Sequence, residues 1–256
     1  MNATAQKTRI TYTLTFPEAQ AHYVSIEMKI SGLSQPVLDL KMPVWTPGSY
    51  MVREFSKNIE AITTEVNGEI LRVPKVRKNI WRVDTDGLSE VTVRYNIYAF
   101  EISVRTSFID ASHAFLSSPD IFVYPDGLLH EPSTIYIKPY GGWNTVSTSL
   151  ESINSDAFTL SSPNYDILFD SPIEVGNQDV ITFDVDAVRY HIAMVGEGDY
   201  EPEKLKSDIT KIIREQELIF GENPCDHYTF IIHNRSKGGG GLEHLSSTVL
   251  SAQRDG

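Results

Sequence analysis

Arg9-Ile10-Thr11-Tyr12-Thr13-Leu14-Thr15-Phe16 alternates without a break, with Ile10, Tyr12, Leu14 and Phe16 apolar and three threonines between them. Successive side chains of a strand point to opposite faces, so this period of two marks a strand with one buried face. The pattern returns at Val24, Ile26, Met28 and Ile30, at Leu38, Leu40 and Met42, and at Val91, Val93, Tyr95 and Ile97. Further strands are expected at Ile80–Val83, Glu101–Thr106, Ile121–Tyr124, Thr134–Lys138 and Val180–Val185. Asn67-Gly68, set between Glu65-Val66 and Glu69-Ile70-Leu71, supplies the positive-φ residues of a two-residue hairpin turn. Many short strands separated by Gly, Pro, Asn and Ser clusters predict an antiparallel β-sandwich.

The character changes after Tyr200. Pro202 suits a first helical turn, Leu205, Ile209, Ile212, Ile213, Gln216, Ile219 and Phe220 follow a 3.6-residue spacing, and Gly221 and Pro224 stop the run. A strand with Tyr228, Phe230 and Ile232 on one face comes next, then Lys237-Gly238-Gly239-Gly240-Gly241 and Leu242-Glu243-His244. The chain is therefore expected to be mainly β, with a β-sandwich domain over 1–185 and the opening of a different, α+β domain over 186–256. Ser251 to Gly256 carry no closing element, which leads us to expect a truncated piece of a longer polypeptide.

Composition narrows the function. The 256 residues hold 22 Lys plus Arg against 34 Asp plus Glu, a net charge of −12, with no basic run to offset it. Such a balance repels polyanions, so no nucleic-acid partner is expected. Cys225 is the only cysteine, which rules out an internal disulfide and a cysteine-cluster metal site and suits a reducing compartment. The polar start and the absence of any long apolar run predict neither a secretory signal nor a membrane partner, and we expect a cytoplasmic protein.

Few motifs survive scrutiny. The four glycines do not form a phosphate loop, since Lys237 precedes them and no G-x-x-x-x-G-K-[ST] is present. They form either a flexible hairpin loop or a backbone that a ligand can approach closely. Glu243 and His244 are neighbours and would point to opposite faces of a strand, so one is expected at a site and the other in a supporting or surface role. The seven histidines include no H-x-x-x-H or H-E-x-x-H pair, so metal ligation finds no support and each lone histidine reads as structural. Gly48-Ser49-Tyr50 lacks the second glycine of a nucleophile elbow, and Cys225 reads as a small buried residue. Met42 to Tyr50, with two prolines, a glycine, Trp45 and Tyr50, reads as a rigid core-capping turn or as a substrate wall. Arg53 and Glu54 are then a solvated pair or substrate contacts.

Four stretches together resemble the glycyl aminopeptidase family of zinc metallopeptidases, metallopeptidase family 61. They are MPVWTPGSYMVREF at 42–55, FVYPDG at 122–127, YDILFDSPIE at 165–174 and GGGLEHLSSTVL at 239–250. The resemblance implies an N-terminal β-sandwich beside a thermolysin-like catalytic domain, of which this chain holds the opening. It further implies hydrolysis of peptides with small N-terminal residues, Gly or Ala. By the match of Gly240-Gly241-Leu242-Glu243-His244 to the G-x-M-E-N pattern of the wider group, Glu243 would take the free α-amino group. Gly240, Gly241 and Leu242 would then line the peptide as an added strand, with Tyr50 and Arg53 as further candidate substrate contacts. Here Leu stands for Met and His for Asn. The family's H-E-x-x-H is absent from the chain, so zinc is implied for the full-length enzyme and neither metal nor catalytic residue is expected in these residues. The competing reading, from the all-β character and the aromatic loop, is a non-enzymatic ligand-binding or interaction module.

Overall fold

The computed structural model of the protein describes residues 7–66 and 69–254; the turn expected at Asn67-Gly68 lies outside them. Its flanking strands Ile59–Val66 and Glu69–Arg72 pair antiparallel with Val66 opposite Glu69. The largest sheet has eight strands in the order Glu151–Ile153, Asp156–Ser162, Ser133–Lys138, Arg9–Thr15, Tyr23–Ser31, Glu90–Tyr98, Ile59–Val66 and Glu69–Arg72. Every alternating stretch read from the sequence forms a strand, and its apolar set faces one core.

Two four-stranded sheets close that core. One runs Tyr124–Pro125, Val37–Lys41, Ile80–Asp84, Lys75–Arg77; the other runs Thr145–Thr148, Ile173–Gly176, Ala114–Leu116, Phe108–Ile109. Tyr12, Leu14, Ile26, Met28, Val93 and Tyr95 from the large sheet meet Leu38, Leu40, Met42, Trp81 and Phe122 in a single buried cluster. The architecture is mainly β, as expected, and within these three sheets one pairing departs from the antiparallel rule. Arg9–Thr15 pairs parallel with Ser133–Lys138, a join across more than 100 residues that no hairpin could make.

Two expected strands take other forms. Glu101–Thr106 has no ladder partner; Phe100 and Ile102 are exposed, and Val104 and Thr106 are buried. Ile121 to Val123 is buried but unpaired, and tyrosine hydroxyls replace the missing ladder: Tyr12 donates to the Val123 carbonyl (2.9 Å), Tyr95 to Ile121 (3.1 Å) and Tyr165 to Phe122 (2.7 Å). Buried peptide groups need such partners, and burial in turn pushes all three phenols well up from their usual range.

The second unit is a five-stranded sheet in the order Asp179–Val185, Val188–Val195, His227–Arg235, Ser247–Gln253, Gly241–Glu243. Helix Pro202–Phe220 makes the crossover between the parallel strands Val188–Val195 and His227–Arg235, with Pro202 at its start and Gly221 at φ +86° after its end. Ile209 and Ile213 are buried on the sheet beside Tyr190 and Ile192, while Ile212, Ile219 and Phe220 stay exposed. Strand pairing crosses the expected boundary at 185. Asp179–Val185 pairs along its whole length with Val188–Val195, so it belongs with the second sheet, and the first core ends at Val175. Among the described residues no helix is long and apolar enough to cross a membrane.

Candidate functional site

The glycine-rich stretch forms the free edge of the second sheet. Gly239 and Gly240 take φ of +141° and +99°, values that side-chain-bearing residues rarely adopt. Gly239 N–H donates to Ser251 O (2.7 Å) and Ser251 N–H to Gly240 O (3.0 Å), after which Gly241–Glu243 pairs antiparallel with Ser247–Gln253. Among the described residues no strand pairs with the outer side of Gly241–Glu243. An unpaired edge can accept an extended peptide as an added strand.

Alternation along that short strand separates its side chains. Leu242 is buried against Val104, Phe115, Val195, Ile231 and Val249, whereas the Glu243 carboxylate is exposed on the opposite face. His244 takes the supporting role: its Nδ1 lies 2.9 Å from Asp170 Oδ1, and the same carboxylate accepts the Leu245 N–H at 2.7 Å. Glu243 has no water-poor setting among the described residues.

The Met42–Phe55 segment forms a self-tied loop over this edge. Trp45 Nε1 donates to Ser49 O (2.8 Å), Arg53 Nε to Ser49 Oγ (2.9 Å) and the Arg53 N–H to Val44 O (2.6 Å). Gly48 sits directly on Leu242 at φ +76°, and a Cβ there would lie 2.4 Å from Leu242 Cδ1. Tyr50 projects fully into solvent, and Arg53 is folded back onto its own loop. Neither joins the strand. The residue that does is Arg105, whose Nε donates to Gly48 O (3.3 Å) and whose Nη2 donates to Gly241 O (3.4 Å). No signal in the sequence distinguished Arg105, which lies in the segment misread as a strand.

A second convergence also escaped the sequence. Glu174, wholly buried, receives His113 Nδ1 at 2.6 Å on one oxygen and His233 Nε2 at 2.9 Å on the other. Burial alone would raise the Glu174 pKa, but the two histidines outweigh it and hold the carboxyl below its usual range. Burial likewise opposes charge on His113, yet Glu174 prevails and raises its pKa. Among the described residues, His113, Glu174 and His233 are the one set of three such donors close enough to hold a metal ion. Cys225 has no activated character: burial raises its thiol pKa, as does neighbouring Asp226.

A family model described as the peptidase M61 N-terminal domain matches residues 11–177, ending where the second sheet begins. No curated protein matches the chain. Among solved structures, the chain is similar to an aminopeptidase N family protein from Idiomarina loihiensis, at 28% identity and a TM-score of 0.90 over 96% of this chain and 42% of that one. It shares its fold with a variant of an M1 zinc metallopeptidase from Deinococcus radiodurans, at 13% identity and a TM-score of 0.54 over 96% of this chain and 60% of that one. A structure of that variant bound to a Tyr-Ser-Ala substrate matches at a TM-score of 0.51. This chain thus spans less than half the length of the Idiomarina protein.

Proposed function

Because the chain belongs to the peptidase M61 N-terminal domain family, we propose that the whole polypeptide is a zinc-dependent aminopeptidase that removes small N-terminal residues, Gly or Ala, from peptides. The observation that carries this reading is the unpaired glycine-rich edge ending in exposed Glu243. A peptide adds to that edge through main-chain hydrogen bonds, and its cationic N-terminus meets the Glu243 carboxylate. A charge-assisted bond of this kind contributes about 1.5–3 kcal/mol. Glycines keep the wall low and leave room for only a shallow first subsite.

The catalytic zinc implied by the family does not fit on these residues. They contain no H-E-x-x-H, and the His113, Glu174 and His233 donors lie behind the edge, with strand Ser247–Gln253 between His227–Arg235 and Gly241–Glu243. No step of peptide-bond cleavage is therefore drawn through zinc here, and residues 1–256 alone are expected to be inactive. The test is Glu243→Ala in the whole polypeptide. The expected result is a roughly 10- to 150-fold rise in KM for a glycyl substrate, the kinetic equivalent of 1.5–3 kcal/mol, with zinc content intact. Unchanged kinetics would remove Glu243 from the site.

A further inference from the structure

We propose that His113, Glu174 and His233 form a divalent transition-metal site that cross-links the two units. The three donors come from three elements. His113 lies in the turn between Phe108–Ile109 and Ala114–Leu116, Glu174 in strand Ile173–Gly176, and His233 in strand His227–Arg235 of the second sheet. Their ligand atoms all lie within 4.8 Å of one another. Two imidazoles and one carboxylate suit zinc or iron(II), and neutral imidazole and carboxylate bind zinc at about 2.0–2.2 Å. Donors on one tetrahedral ion stand roughly 3.3 Å apart; because His113 and His233 meet different oxygens of Glu174, at 2.6 Å and 2.9 Å, an ion held by one of them opens that contact and draws the other imidazole in from within 4.8 Å.

The donors are held in place before any ion arrives. Asp110 Oδ1 accepts the N–H groups of Ser112 (2.7 Å) and His113 (3.2 Å), which sets the turn that carries His113. Gly176 lets that turn come close, since a Cβ there would lie 2.9 Å from the His113 Cβ. Glu174 and His233 are buried, at 0% and 2% side-chain exposure, while His113 retains 18% and faces an open cleft of about 680 Å³ that gives an ion its way in. Nearby Arg235 carries like charge toward the ion and opposes its binding.

The experiment titrates zinc chloride into the chelator-stripped chain, read by calorimetry and by thermal unfolding, with cobalt(II) absorption as a second probe. One equivalent binding with micromolar Kd and raising Tm is the expected result. His113→Asn, at the exposed rim, should retain the circular dichroism of the parent and weaken binding at least about tenfold; His233→Asn should do the same where it folds. Lack of saturable binding below about 1 mM, or binding that survives His113→Asn unchanged, would overturn the site and leave the triad as a hydrogen-bonded tie.

Discussion

Gly48→Ala tests the contact that seats the Met42–Phe55 loop on the glycine-rich strand. The new Cβ would lie 2.4 Å from Leu242 Cδ1, more than 1 Å inside an ordinary carbon contact, and the backbone holds φ at +76°. Leu242 is 2% exposed and packed among Val104, Phe115, Val195, Ile231 and Val249, so it cannot swing away. The left-handed conformation costs an alanine about 1–2 kcal/mol and the overpacking about 1–3, giving a loss of about 2–5 kcal/mol. Gly127→Ala is the control, at φ +81° with nothing within 4 Å of its added Cβ, and should lose only the conformational part. Leu242→Ala alone costs about 2–5 kcal/mol, but in the double variant the clash is gone. The two losses should therefore fall short of additivity by about 1–3 kcal/mol. Urea unfolding followed by circular dichroism and tryptophan fluorescence supplies the four free energies, with m-values compared across the cycle. Additivity within about 0.5 kcal/mol, or a Gly48→Ala loss no larger than that of Gly127→Ala, would refute the apposition.

Asp170→Ala removes the acceptor for both His244 and the Leu245 N–H and should destabilise by about 2–4 kcal/mol. Hydrogen exchange at Leu245 is the sharper readout, and unchanged protection there would count against the tie. Asp120, sealed in the core, has its pKa pushed up to about 7 by burial, against hydrogen bonds from Ser107 and Asn58 that pull it down. A carboxyl whose folded pKa lies above its unfolded value keeps its proton longer in the native state. Its contribution is therefore full below about pH 4 and is lost as pH rises through about 7, by up to about 4 kcal/mol. Stability measured from pH 5 to 8 should fall in the parent and flatten in Asp120→Asn; parallel profiles would show that Asp120 does not carry the slope.

What the sequence made legible was whatever is local. Alternation at Arg9–Phe16 and its repeats fixes which side chains are buried, because facing is decided by a period of two within one strand. The helix from Pro202 to Gly221 announced both of its ends through residues that act on their own turn. Alternation does not decide whether a backbone finds a partner, which is why Glu101–Thr106 and Ile121–Val123 form no ladder. In the second case the partners are hydroxyls 111, 26 and 43 residues away. A change of period near Tyr200 marks where helix follows strand, whereas sheet membership follows pairing, and Asp179–Val185 pairs forward. The histidines read as isolated because their partner, Glu174, lies 61 and 59 residues from them in sequence.

The YDILFDSPIE stretch acquires a physical role from these contacts. Asp170 reaches His244 and Leu245 beside the edge strand, and Glu174, four residues on, reaches His233 two strands inward. Both carboxylates tie the second sheet to the sandwich, as do His227 at Ser149 O and Thr229 at Thr148 O, and the Leu242 cluster packs residues of both units together. Asp170, from the first unit, thus fixes the turn that follows Glu243. The sandwich therefore does more than lie beside the glycine-rich edge. Weakening either carboxylate should alter how that edge presents itself, even with every residue of the edge unchanged.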